Sequence, residues 1–139
     1  MKIKLETLLS AMETEEELFL IYYDVATEKL EYVQGSLFAG KENKTLIEQI
    51  EKEPKRYLAV PVKSKLRERN MMKAFMRAFP IERIRKMLAI AIRGKMPFIR
   101  FKEALQFYGI EEQWYGYRKE ALREQAISWC REHHIEYEE

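Results

Sequence analysis

Apolar and polar positions follow two rhythms along this chain, a two-residue alternation in parts of the first half and a 3.6-residue stripe through the second. "IKLETLLSAM" places Ile3, Leu5, Leu8, Leu9 and Met12 near helical spacing, which predicts a short amphipathic helix. "LFLIYYDVATEKLEYV" then gives two β-rich runs around a polar connection, Asp24 to Lys29, and predicts a hairpin. The first arm is apolar on both faces, as expected of a strand covered on both sides. "FAGKENK" reads as a turn-rich break. "TLIEQIEKE" is the next predicted helix, capped by Thr45 or Asn43 and ended by Pro54. "RYLAVPV" predicts a third strand, with Pro61 marking an edge or an end.

From Ser64 onward every predicted element is helical. "KSKLRERNMMKAFMRAF" puts Met72, Phe75, Met76 and Phe79 on one stripe and stops at Pro80. That proline opens "IERIRKMLAIAIRG", closed by Gly94. "PFIRFKEALQFYG" starts at Pro97 and stops at Gly109, a clear C-terminal glycine. The last helix, "EEQWYGYRKEALREQAISWCREHH", carries Trp114, Tyr117 or Arg118, Ala121, Leu122, Gln125 and Trp129 at helical spacing. These elements predict an α+β fold. A small three-stranded antiparallel sheet with N-terminal helices is followed by a four-helix C-terminal half packed on it.

Length and composition narrow this further. The 139 residues suit one domain, with a sheet-containing half over 1–63 and a helical half over 64–139, able to bury roughly two-thirds of the unfolded surface. Hydrophobic residues at 47 %, aromatics at 12 %, five Gly and four Pro exclude a mainly disordered chain. Cys130 is the single cysteine and has no internal disulfide partner, and Glu6 interrupts the apolar N-terminal stretch, so no signal peptide is expected. "LFLIYY" and "ALQFYGI" fall far short of the ~18 residues of a spanning helix. A soluble cytoplasmic protein without a membrane partner is the expectation.

The net charge is only +2, but it is unevenly distributed. Residues 1–54 hold 6 basic and 12 acidic side chains, residues 55–102 hold 15 and 2, and residues 103–139 hold 4 and 9. Within the basic block, Lys65, Arg69, Lys73 and Arg77 recur every four residues on the helix from Ser64. Like charges at that spacing cost a helix roughly 0.2 to 0.5 kcal/mol per pair, which an anion facing the stripe would offset. Two anions fit: a nucleic-acid backbone, or the acidic flanks of the same chain. "RGKMPFIRFK" adds Arg93, Lys95, Arg100 and Lys102 around Phe98 and Phe101. The phenylalanines are expected in the core, and the four cations around a helix N-terminus, a corner that suits an anion. Base stacking is the alternative for the phenylalanines, and it needs exposed rings beside cations.

Other chemistry finds little support. Cys130, His133 and His134 are close in sequence, but Cys130 and His134 at helical spacing are two ligands where a structural zinc site takes four. Cys130 beside Trp129 is expected as a small core residue. Both histidines lie in the last seven residues and Asp24 is the only aspartate, so a nucleophilic triad has little to draw on. No P-loop, dinucleotide glycine pattern or zinc-protease motif is present. Glu15, Glu16 and Glu17 read as a solvated run, and Glu111 with Glu112 as a helix first turn.

Residues 91–130, "AIRGKMPFIRFKEALQFYGIEEQWYGYRKEALREQAISWC", resemble the C-terminal signature of the bacterial uncharacterised protein family 0158. The resemblance rests on Arg93, Gly94 and Lys95; Phe98; Arg100, Phe101 and Lys102; Gly109; Trp114 and Tyr115; and Trp129 with Cys130. "YYDVATEKLEYV" and "RYLAVP" resemble the family's hairpin and third strand. Two positions depart from the pattern. Met96-Pro97 stands where a small pair is expected, and no glycine follows Thr27. The resemblance implies a fold and brings no activity.

The expected function is therefore a non-catalytic binding or regulatory module without a cofactor. Its candidate partners are RNA or DNA, through Lys65, Arg69, Lys73, Arg77, Arg93, Lys95, Arg100 and Lys102. The alternative is another protein, through exposed aromatics at Trp114, Tyr115 and Tyr117. A small enzyme with a glutamate acid/base is the third and least supported reading.

Overall fold

The computed structural model describes residues 1–35 and 40–139, and the backbone of Lys41 and Glu42 without their side chains. Phe38 and Ala39, the start of the predicted turn-rich break, lie outside the described residues. The chain divides into two compact units, residues 1–64 with 124–139, and residues 65–123.

The first unit is built on a three-stranded antiparallel sheet. Strands β2 (Phe19–Asp24) and β3 (Lys29–Gln34) form the predicted hairpin, with Asp24 paired to Lys29. Strand β4 (Tyr57–Ala59) pairs with the other edge of β2, giving the order β3-β2-β4. The apolar first arm is thus the central strand, and Ile21 and Tyr23 on one of its faces are fully buried. Pro61 falls just beyond β4, where its missing N–H breaks no ladder.

Two strands were not anticipated. The predicted N-terminal helix is split into β1 (Lys2–Lys4) and helix α1 (Leu5–Met12), and the expectation that every element after Ser64 is helical is corrected by β5 (Glu136–Glu138). β1 and β5 pair in parallel, Ile3 against Tyr137. The Tyr23 hydroxyl donates to the Lys2 carbonyl at 2.8 Å, which ties β1 to the central strand of the sheet. The Trp129 indole N–H donates to the Ala59 carbonyl at 2.9 Å, and the Trp129 ring meets Tyr23 edge-on at 6.2 Å. Cys130, fully buried beside it, takes the expected place in the core, where burial raises the thiol pKa.

Helix α2 (Lys41–Lys52) starts four residues before its predicted first residue, with Gly40 at the N-cap. Asn43 is therefore no cap. Its side-chain oxygen accepts from the Gln34 N–H at 2.9 Å and its amide donates to the Gln34 carbonyl at 3.3 Å, satisfying the end of β3. The hairpin is closed by Asp24, whose Oδ1 accepts from the Ala26 N–H at 2.9 Å and from Arg56 Nε at 2.8 Å, while Oδ2 accepts from Arg56 Nη2 at 2.9 Å. The Arg56 guanidinium, first, and these further bonds hold the Asp24 carboxyl down at about 2 against the opposing pull of burial.

The second unit holds α3 (Lys65–Ala78), α4 (Glu82–Arg93), α5 (Pro97–Tyr108) and the start of α6 (Glu111–Glu132), whose last turns belong to the first unit. Pro97 sits at N1 of α5, and Gly109 ends it in the left-handed conformation, as the sequence predicts. The core is aromatic. Phe75 meets Phe79, Phe101, Trp114 and Tyr117 at ring-centre distances of 5.5, 6.3, 5.4 and 5.4 Å. Leu88, Ile92 and Leu105 complete it from α4 and α5. Among the described residues no helix is long and apolar enough to cross a membrane.

Candidate functional site

The cation-rich stripe on α3 does not stay on one face. At 100° per residue a four-residue step drifts 40°, so Lys65, Arg69, Lys73 and Arg77 wind across the helix. Lys65 and Arg77 are exposed, and Arg69 and Lys73 are half-buried. Arg69 points inward, its Nη2 donating to the Ile92 carbonyl at 3.1 Å in the last turn of α4. Arg85 does the same for the end of α3, Nη1 donating to the Phe79 carbonyl at 2.6 Å. Both arginines satisfy carbonyls that a helix leaves unpaired at its C-terminal end, where the dipole favours a cation.

A second part of the block also turns inward. Glu68 is buried on α3 and accepts from the Arg118 guanidinium, Nε at 3.2 Å and Nη2 more closely, while Arg67 Nε lies 3.8 Å from its other oxygen. Sequence reasoning missed this cluster, because Glu68 between two arginines looks like a solvated first-turn acid. The one visible signal was Arg118, which shares the apolar stripe of α6 with Trp114 and Leu122.

Besides Lys65 and Arg77 on α3, exposed cations stand on α4, on α5 and in the turn between them. Arg93, Lys95, Arg100 and Lys102 are all exposed. Arg100 lies 3.7 Å from Glu103 in a solvated contact; among the described residues Arg93, Lys95 and Lys102 form no ion pair. Arg83, Lys86 and Ile90 share the outward face of α4 with Arg93, a 3-4-3 spacing that a helical wheel of the sequence reveals. Lys86 lies 3.3 Å from Glu82, which is equally exposed. The turn itself is strained, since Met96 holds φ 53° immediately before Pro97.

Phe98 and Phe101 part company. Phe101 is a core residue, 3 % exposed and 5.0 Å from the Trp114 ring, whereas Phe98 is 39 % exposed and corrects the expectation that both are buried. Its neighbours Met96 and Ile99 are exposed as well. The aromatic trio at the start of α6 is corrected in the opposite sense. Trp114 is buried and Tyr117 half-buried within the Phe75 cluster, leaving Tyr115 as the exposed member. Glu15, Glu16 and Glu17 are exposed, as expected of a solvated run.

A family model, Uncharacterised protein family (UPF0158), matches residues 1–138. The chain belongs to this family. A UPF0158 protein of Pseudomonas aeruginosa is 32 % identical to it over 88 residues, which are 63 % of this chain and 58 % of the relative's length. The match thus spans little more than half of that relative. No solved structure matches the chain. The family's hairpin position after Thr27 is Glu28 here, and it takes φ 60° without a glycine.

Proposed function

We propose that the chain is a non-catalytic binding module whose surface at the α4–α5 turn takes nucleic-acid phosphates. One observation carries this reading. The arginines with a structural use, Arg69, Arg85 and Arg118, fold inward onto carbonyls and Glu68, and a separate set, Arg93, Lys95, Arg100 and Lys102, remains outward within ten residues of chain. Exposed like charges repel one another, and a partner bearing regularly spaced anions offsets that repulsion. Lys65, Lys73 and Arg77 on α3 stand as further candidates away from this turn; Arg69, engaged with α4, contributes to the fold instead.

Fluorescence anisotropy of labelled RNA and DNA oligomers at about 50 and about 200 mM salt tests it, because phosphate-driven affinity falls steeply over that range. Replacing Arg93, Lys95, Arg100 and Lys102 together by glutamine should lower the salt slope by roughly 0.7 to 0.9 for each phosphate no longer neutralised. Absence of binding at the lower salt, or a variant that binds like the wild type, overturns the reading.

A further inference from the structure

Cations alone do not account for this surface. Met96 and Ile90 are 62 % and 54 % exposed, Ile99 and Met87 are exposed on α5 and α4, and Phe98 stands in sequence among Lys95, Arg100 and Lys102. A ligand offering phosphates only, such as the outside of a duplex, leaves these side chains facing water or charge. A ligand that presents anions and flat apolar faces side by side matches both components. Resting on the phosphate reading above, we infer that the α4–α5 surface takes single-stranded nucleic acid, with an unpaired base stacked on Phe98.

Geometry selects Phe98 within the patch. It lies one turn before Lys102 on the same side of α5, at the four-residue spacing that brings side chains together, and Lys95 lies three residues before it in the turn. On this reading a base on the ring has Lys102 on the same helix face for one flanking phosphate and Lys95, in the turn before α5, for the other, the combination of stacking and charge that single-strand binding uses. Among the described residues Phe98 makes no ring contact, so its free side is not filled by the aromatic core. Phe107 is more exposed, at 82 %, but is a poor platform. It lies at the far end of α5, its ring packs edge-on against Tyr108 at 4.9 Å, and Glu103, Glu111 and Glu112 surround it in the sequence.

The test compares labelled 12-mers of single-stranded RNA, single-stranded DNA and duplex DNA, with anionic phosphatidylserine vesicles as a fourth arm. Single strands should bind at least about tenfold tighter than duplex, and RNA against DNA separates the two sources of the same chemistry. Phe98→Leu keeps an apolar side chain and removes the ring. It should weaken single-strand binding about fivefold or more while the salt slope stays unchanged. Phe98→Trp should retain or improve affinity, and Phe107→Leu should leave it unaltered. Equal affinity for single strand and duplex, or a Phe98→Leu protein that binds like the wild type, overturns stacking and leaves the phosphate reading standing. Failure of every oligomer to bind, with or without capture by vesicles, overturns both.

Discussion

Each compact unit closes on a buried carboxylate gripped by an arginine from far along the chain, Asp24 by Arg56 in the first and Glu68 by Arg118 in the second. Their surroundings are opposite. Asp24 belongs to a stretch where acids outnumber bases two to one, and it is satisfied by a single guanidinium, the Ala26 N–H and the Thr27 side chain. Glu68 belongs to a block with 15 basic residues and one other acid, and it faces two arginines. In the acidic half an arginine neutralises the buried charge. In the basic half a glutamate does so, and its removal leaves two guanidinium groups in place of one carboxylate. Charge count and charge exposure are therefore separate quantities, because part of the basic block serves the inside of its own unit.

The largest expected effect follows from that asymmetry. Glu68→Ala leaves Arg67 and Arg118 near-buried without their shared counter-charge, and breaking such a pair costs about 3 kcal/mol. Urea unfolding followed by circular dichroism measures it. A loss below about 1 kcal/mol would mean that the two arginines reach water easily and that the pair is a surface feature.

Asp24 provides the next step. Asp24→Asn keeps the shape but gives up charge-assisted bonds to Arg56, an expected loss of about 2 kcal/mol. The same residue sets a pH window. Its carboxyl titrates near 2 when folded and at its ordinary 3.8 when unfolded, so the unfolded chain binds the proton first. The stabilisation is complete above about pH 4 and declines as the pH falls toward 2. Thermal melts from pH 5 to 2 should show this decline in the wild type and a shallower one in Asp24→Asn. Parallel curves would remove Asp24 as the source.

How much of this was legible depends on how local its cause is. The hairpin was visible because two β-rich runs flank a polar link, and helices α4 and α5 because Pro80, Gly94, Pro97 and Gly109 punctuate them. β1 and β5 were not. Three residues each, "KIK" and "EYE", carry no readable period, and their pairing joins opposite ends of the chain. Asn43 has the chemistry of a cap and stands before an apolar run, yet the Gln34 backbone binds it and the helix begins earlier. For the candidate surface, the exposed cations of "RGKMPFIRFK" were legible as a group. Which basic residues turn inward was not, since the partners of Arg69 and Arg118 lie 23 and 50 residues away.

The smallest effects concern two left-handed residues, Glu28 in the first unit and Met96 in the second. Glu28 and Met96 hold φ 60° and 53°, a conformation costing a side-chain-bearing residue roughly 1 to 2 kcal/mol. Glycine removes that strain but adds freedom to the unfolded chain worth roughly 0.5 to 1 kcal/mol. Met96 is exposed, and the proline after it makes its conformation worse, so Met96→Gly should gain about 0.5 kcal/mol. Glu28 also lies 3.5 Å from the Met1 amino group, a half-exposed ion pair whose loss costs up to about 1 kcal/mol. Glu28→Gly should therefore come out close to neutral. Side-by-side denaturation of the two variants decides the matter: a gain confined to Met96→Gly supports strain at the turn between α4 and α5, and a loss there shows that the methionine side chain holds that turn in shape.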